Sequence, residues 1–403
     1  MRFGGGYGKH SGKRSYKRSC KRFGQLAAWT AALLLLSGCW DYQDLESRAP
    51  ILGMGFDLSG DPRQPIRASA EVPVAAAVAM ASGGPGASGE RPPKEVFESE
   101  GVTISEAVDM LSEMISRDLI NRHVEAVVVS RDLAVQGLGP LVDYFMRNPQ
   151  VNLRAQLWVT SGTAREVLSV NPAFQPFTSF ALETALQKSR LFPVIAPGLT
   201  IESFSRKVHE GGAIVPRVEV REGRLVTSGA GVFSPQARLV GFLNDRETVG
   251  TAWFTGNLSM TESSFPCPAN PERYVGGRLR PGGRRMHFDL RDGTISVSME
   301  VSGSLVLTNL DECEVGPWRS PADRRRLAGE AARVVAADIE AAVRRSQELG
   351  VDFLGIGLQF ARRHPKIWRS LDWPELYPEL DVSVSVKVTL NDPGGLYDRA
   401  AGR

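Results

Sequence analysis

The chain has 403 residues, of which 42% are hydrophobic and 23% charged. That balance suits a folded body of two or three ordinary domains and excludes a disordered chain or a multi-span membrane protein. The formal charge of +3 comes from one end: eight Lys and Arg residues lie between Arg2 and Arg22, no acid precedes Asp41, and the rest holds 40 basic against 45 acidic residues. The basic balance therefore reports a targeting segment, and no nucleic-acid partner is expected from it.

In chain order, that segment comes first. Lys13, Arg14, Lys17, Arg18, Lys21 and Arg22 precede an apolar stretch at residues 26–36. Positive charge stays cytoplasmic during insertion while the apolar stretch enters the bilayer behind it. The stretch is about half the ~20 residues that a stable span needs. It ends in Leu36-Ser37-Gly38-Cys39: a long apolar residue, two small residues, then cysteine. This is the pattern of a lipobox, with signal cleavage between Gly38 and Cys39 and lipidation of the Cys39 thiol by a diacylglyceryl group. Two acyl chains, at about 0.8 kcal/mol per buried methylene, anchor stably where one does not. An ordinary secretory signal with a chance cysteine is the alternative, but charge, apolar core and small-small-Cys stand in the right order. Asp41, Asp44 and Glu46 then begin a polar tether. Of four cysteines, Cys20 leaves with residues 1–38 and Cys39 takes the lipid. Cys267 and Cys313 remain, either paired outside the cytoplasm or standing as two separate buried thiols.

Residues 50–56 and 66–74 read as strands, and residues 95–100 as another. Residues 79–93 between them are rich in Gly, Ser, Ala and Pro and read as a loop. Thr103-Ile104-Ser105-Glu106 is a capping box, opening a helix with Ile104, Val108, Leu111 and Ile115 on one face. The run at 123–130 is a strand buried on both sides. Residues 138–147 are helical, 154–160 form a strand, Thr163 and Glu166 cap a helix to Val170, and 180–191 form a further helix. The expected first domain, residues 39–212, is thus a mixed sheet with helices packed on it.

From residue 213 the texture changes to hairpins. Residues 213–220 and 225–233 pair about Glu222-Gly223, and 238–242 form a short strand. Asn244 and Glu247 cap a helix through Trp253. Residues 266–271 read as loop. Three strands follow at 273–279, 285–290 and 294–308, with turns at Pro281-Gly282-Gly283 and Asp292-Gly293. Ser320 and Pro321 start a long helix that runs to Leu349, with Leu327, Ala331, Val335, Ile339 and Val343 as its buried stripe. Helices at 352–363 and 365–368 and a strand at 381–390 complete residues 213–403, the expected second domain or domains. The fold class is α+β and multi-domain, with mixed and antiparallel sheets and packed helices.

Signals of catalysis fail one by one. Gly53-Met54-Gly55 and Gly355-Ile356-Gly357 lack the third glycine of a dinucleotide loop, which would fall at Leu58 and Phe360; backbone packing or a turn explains them better. His123-Val124-Glu125 has the spacing of a zinc deaminase, but the second cysteine after Pro266-Cys267 would fall at Asn270. Glu46, Asp57, Glu71, Glu210 and Asp311 are scattered, without a spacing that pairs any two. Trp253, Phe254, Trp318, Trp368 and Trp373 suit core packing before an interface. No catalytic residue, metal, cofactor or small-molecule ligand is assigned.

An ordered set of segments resembles one family. Cys39-Trp40-Asp41, Leu45-Glu46 and residues 51–57 (ILGMGFD) are similar to the start of Ger(x)C lipoproteins, the C subunits of spore germinant receptors in endospore-forming bacteria. The similarity continues through residues 100–107 (EGVTISEA), 121–130, Gly137-Leu138, 145–147, 231–233, 239–241 and 245–254 (DRETVGTAWF). It closes with 352–357 (DFLGIG) and 364–368 (HPKIW). The resemblance implies a multi-domain α+β fold, a family not known for enzymes, and a place on the outer face of the spore inner membrane. It also implies two partners, a membrane-spanning A subunit and a polytopic B subunit, and carries over one chemical residue, Cys39. The expectation is a non-catalytic receptor subunit whose mildly acidic body does not lie flat on anionic lipid, with the exposed face of the 320–349 helix as a docking surface. A substrate-binding lipoprotein of a transporter is the alternative, and the hairpin-rich second half argues against its two similar lobes.

Overall fold

The computed structural model describes residues 48–74, 93–309 and 320–391 apart from 116, 269 and 292, together with Met1, Gly4 and Gly5. The chain divides into two units, Met1–Arg48 and Ala49–Arg403, and both large sheets and their helices belong to the second. The targeting segment with Gly38 and Cys39, the loop at 79–92, Asp311, Cys313 and Trp318 lie outside the described residues.

An eight-stranded mixed sheet is built from β1 (Gly53–Leu58), β2 (Ile66–Pro73), β3 (Lys94–Gly101), β4 (Ala126–Ser130), β5 (Gln156–Thr160), β6 (Ala213–Arg221), β7 (Arg224–Phe233) and β8 (Leu239–Leu243), in the order β8-β7-β6-β5-β4-β1-β2-β3. β1, β4 and β5 run parallel at its centre. Every residue of β4 is buried, as a strand covered on both faces requires.

One face of the sheet packs on α1 (Ile104–Met114), α2 (Arg131–Gln136), α3 (Gly139–Arg147) and α6 (Ile201–His209). The opposite face packs on α4 (Ala164–Ser169) and α5 (Thr178–Lys188), around Trp158, Val167, Leu168 and Leu182. The caps expected from sequence form: Thr103 accepts from the Glu106 N–H and Thr163 from the Glu166 N–H, each at 3.2 Å. α6 has no counterpart in the sequence reading.

The sheet runs past residue 213, where the change in texture set the expected boundary. β6 joins β5 in parallel at Val159 and Arg217, and β7 and β8 extend the same sheet. A second, four-stranded sheet starts at β9 (Thr261–Cys267), followed by β10 (Asn270–Arg291), β11 (Thr294–Asn309) and β12 (Asp381–Leu390), in that order. Residues 261–267 are a strand whose first part has no counterpart in the sequence reading. Two expectations are corrected here. The expected loop at 266–271 shrinks to the link between β9 and β10, because Cys267 already pairs with Asn270. The strands expected at 273–279 and 285–290 are one strand, because Pro281-Gly282-Gly283 forms a bulge and not a reversal. The register slips between Pro281 and Arg284, and the Ser302 hydroxyl bonds both the N–H and the carbonyl of Gly283, at 2.8 and 3.0 Å.

α7 (Asp245–Thr255) starts at the expected capping box of Asn244 and Glu247. α8 (Pro321–Glu348) starts at Ser320, whose hydroxyl accepts from the Asp323 N–H at 3.1 Å. The expected stripe of Leu327, Ala331, Val335, Ile339 and Val343 is buried against the second sheet. Its large members contribute about 1.5–3 kcal/mol each. α7 crosses α8 so closely that a Cβ on Gly250 would stand 1.9 Å from the Asp338 carbonyl oxygen. α9 (Ile356–Arg363), α10 (Pro365–Trp368) and α11 (Trp373–Leu376) close the second core. A small cluster of Ala196, Ala230, Val232, Leu243 and Val351 joins the two halves.

Candidate functional site

Buried charged groups are the first place to look for chemistry, because desolvation tunes them. The most enclosed is the pair of Glu71 on β2 and Lys94 on β3, joined at 2.7 Å with side chains 0% and 2% exposed. Lys94 Nζ also donates to the Leu168 and Val170 carbonyls, both at 2.6 Å, and reaches the Thr178 hydroxyl. Glu71 accepts the Thr178 and Ser179 N–H groups at 2.6 and 3.0 Å, at the first turn of α5. Burial pulls the Lys94 ammonium below its ordinary pKa, and the Glu71 charge opposes that. All three ammonium donors are engaged, and the carboxylate caps a helix. The pair ties β2 and β3 to the α4–α5 connection, and three of the roughly four lone-pair sites of the carboxylate are engaged there.

Asp57 stands at the end of β1, where the parallel strands finish. Open α/β sheets take ligands at that edge, and a helix N-terminus there attracts anions. Here the protein fills the position itself. Asp57 accepts the Ala164 and Arg165 N–H groups of α4 at 2.7 and 3.1 Å. Burial raises its carboxyl pKa, and those two N–H groups oppose the shift. The Gly53/Gly55 pair serves the same helix. A Cβ on Gly53 would meet Leu168 at 3.0 Å, and one on Gly55 would meet Ala164 at 3.0 Å. Close helix-to-sheet packing accounts for both glycines.

Asp352 repeats the device in the second half. It accepts the Ile356 N–H at 3.0 Å, the Gly357 N–H at 2.6 Å and the Trp373 indole N–H at 3.2 Å. Burial pushes its carboxyl up to about 6, against the pull of those donors. Gly355 has φ +75°, in the left-handed region, and a Cβ on Gly357 would stand 2.5 Å from the Trp373 indole nitrogen. Phe360, Trp368, Trp373 and Tyr377 stack beside it with centroids 5.3 to 6.5 Å apart. Burial and the Asp352 charge raise the Tyr377 pKa, while its hydroxyl contacts Ser346 at 2.5 Å.

The other singled-out residues do not converge. His123 and Glu125 belong to the first sheet's side of the molecule, and Cys267 is fully buried in the core of the second. The half-motif is never assembled. Cys267 is disulfide-bonded, and Cys313 lies outside the described residues. Among the described residues, no group of three or more His, Cys, Asp or Glu is arranged to hold a metal. Trp253 and Phe254 are core residues, 2% and 1% exposed. Sequence reasoning missed the Glu71–Lys94 centre, whose partners are distant along the chain and carry no motif.

What remains open is surface. A cleft of about 870 Å³ lies between residues 170–175, α5 and the β6–β7 hairpin, lined mainly by apolar side chains with Lys188, Glu222 and Arg224 at its rim. The charged face of α8 is also exposed at Arg333, Glu340 and Arg344, which carry ion pairs along the helix.

Similarity to known proteins runs along most of the chain after residue 40. The family described as spore germination protein N-terminal domain matches residues 41–220. The one described as spore germination B3/GerAC like, C-terminal, matches residues 228–394. Among curated proteins of Bacillus subtilis (strain 168), the putative spore germination protein YfkR is 22% identical over 373 residues, covering 90% of this chain and 95% of its own. Spore germination protein KC is 23% identical over 394 residues, covering 90% and 94%. The crystal structure of the GerBC protein aligns with a TM-score of 0.54 at 15% identity, covering 87% of this chain and all of that one. That likeness is one of fold.

Proposed function

Since the chain belongs to the GerAC family of spore germination proteins, we propose that it is a non-catalytic, lipid-anchored subunit of a nutrient germinant receptor. Its part in germination follows from the family, and the observation that carries it is the pair of family matches spanning residues 41–394. The finer reading is a body tethered by a diacylglyceryl group on Cys39 to the outer face of the spore inner membrane. There the tether raises its effective concentration beside the membrane-embedded A and B subunits. Non-catalytic action is supported by the use of Asp57, Glu71 and Asp352 as helix caps, with their acceptor capacity directed at backbone N–H groups. We assign Cys313 as the partner of Cys267, the two cysteines left once Cys39 is lipidated and Cys20 removed.

The test is recovery of partners from spore inner membrane with the tagged chain. A and B receptor subunits are the expected catch, and the channel subunits of a transporter would overturn the assignment. Cys39→Ala should abolish fatty-acid labelling and release the body from the membrane. Substituting Arg333, Glu340 and Arg344 by Ser should lower subunit recovery while the urea midpoint holds. Loss of fold in that variant would contradict a docking role for α8.

A further inference from the structure

We propose that the face around Phe174 lies against an anionic phospholipid bilayer and fixes the orientation of the body there. The inference rests on the lipid anchor at Cys39. Residues 171–177, Asn-Pro-Ala-Phe-Gln-Pro-Phe, connect α4 to α5. The loop is rooted by Phe177, which is buried and packs edge-on against Phe180 with centroids 5.3 Å apart. Phe174, held between two prolines, is 97% exposed. Phe192 shares the same cleft; it is 57% exposed and its neighbour Leu191 44%. Large apolar side chains on projecting loops gain by entering the region between headgroups and acyl chains.

The charge around them has the sign a bilayer of anionic lipid attracts. Lys188, Arg190, Arg221 and Arg224 are exposed; Lys188 and Arg224 line the cleft, Arg221 stands directly across the hairpin from Arg224, and Arg190 follows Lys188 by two residues. Among the described residues none of the four is in an ion pair. Among the residues lining the cleft the acid is Glu222, at the hairpin tip; Glu183 on α5 is exposed, with Glu125 near it. The patch is therefore locally basic on a body that is acidic overall. Long-range repulsion opposes flat adsorption of the rest and leaves this face as the one drawn to the surface.

The root of the loop stands at the end of the sheet where β1 begins. The Val170 carbonyl, at the root of the loop, accepts from Lys94. Lys94 is bound to Glu71, which pairs across the sheet with Gly53, the first residue of β1. Eight residues lie between Cys39 and Arg48, a linker whose extended length is at most about 30 Å. A protein occupant of the cleft has no comparable argument from charge and tether length.

The test uses residues 39–403 with Cys39→Ser, so that no acyl chain contributes, and co-sedimentation with vesicles. Binding to phosphatidylglycerol vesicles is expected, with little to phosphatidylcholine and a steep loss at high salt. Phe174→Ser with Phe192→Ser, and separately Arg221→Gln with Arg224→Gln, should each weaken it about ten-fold or more, a loss of roughly 1.4 kcal/mol. All four positions are exposed, so urea midpoints should hold. Parent-like binding by either variant, or no vesicle binding by the parent, overturns the proposal. Self-association abolished by Phe174→Ser would assign the face to a second copy and overturn it equally. Fatty-acid labelling of the full chain at Cys39 is read separately, so failure of the anchor and failure of the patch are distinguishable.

Discussion

Asp352 makes stability depend on pH in a direction opposite to that of most carboxylates. Its folded pKa of about 6 stands above the ordinary 3.8 because burial disfavours the charge. Between those values the native state binds more protons than the unfolded chain, so stability falls as pH rises. The contribution is fully present below about 3.8 and is lost as pH passes through about 6. A gap of about two pH units at about 1.36 kcal/mol each gives close to 3 kcal/mol. The perturbation is Asp352→Asn, which keeps the shape and removes the titration. The assay is urea unfolding of parent and variant from pH 4 to pH 7, followed by tryptophan fluorescence. Because other carboxylates titrate in both proteins, the informative quantity is the difference between the two curves. The parent should lose about 2.4 kcal/mol relative to the variant across that range. A difference that stays level, or grows in the parent's favour with pH, would refute the account of Asp352 as a desolvated acid.

Other consequences of the packing can be measured the same way. Lys94→Met should cost about 3–5 kcal/mol, because it leaves the Glu71 carboxylate buried without its cation. Adding Glu71→Gln should then cost less than it does in the parent, which a double-mutant cycle in urea would read. Gly250→Ala should destabilise by about 1–3 kcal/mol or more, since the Asp338 backbone must retreat. Gly329→Ala, within α8 and with no heavy atom within 4 Å of its added Cβ, should stabilise by about 0.5–1 kcal/mol, and thermal melts would show the opposite signs. Thr103→Ala should cost about 1 kcal/mol through loss of the cap on α1.

Helix starts are legible in the sequence because their signals are local. Thr103, Thr163, Asn244 and Ser320 each announce a cap within three residues, and each forms one. α6 carries a similar signal in Thr200, whose hydroxyl accepts from the Ser203 N–H at 3.1 Å. That signal is weaker because Ser203 lacks the returning carboxylate of a capping box. Gly282-Gly283 reads as a turn by composition, yet only the partner strand decides between turn and bulge, and here Ser302 on β11 decides it. The extent of the first sheet is hidden for the same reason: whether a hairpin at 213–233 opens a new sheet or extends an old one depends on which edge it meets. The three buried carboxylates are visible as residues and invisible as caps, since Asp57 and Glu71 reach helices more than 100 positions away. Only Asp352, four and five residues before the N–H groups it binds, lies within local range.

β12 runs parallel to β11, so the chain must cross from one end of the second sheet to the other before its last strand can dock, and α8 lies in that crossing. During synthesis, then, the ribosome must carry the chain through Leu390 before this half can complete its sheet. Until Leu390 emerges, one flank of β11 and the apolar stripe of α8 lack their final neighbour. A premature stop shortly before Asp381 would remove under a tenth of the sequence, yet it would leave a sticky, unfinished lobe for proteases and chaperones to find.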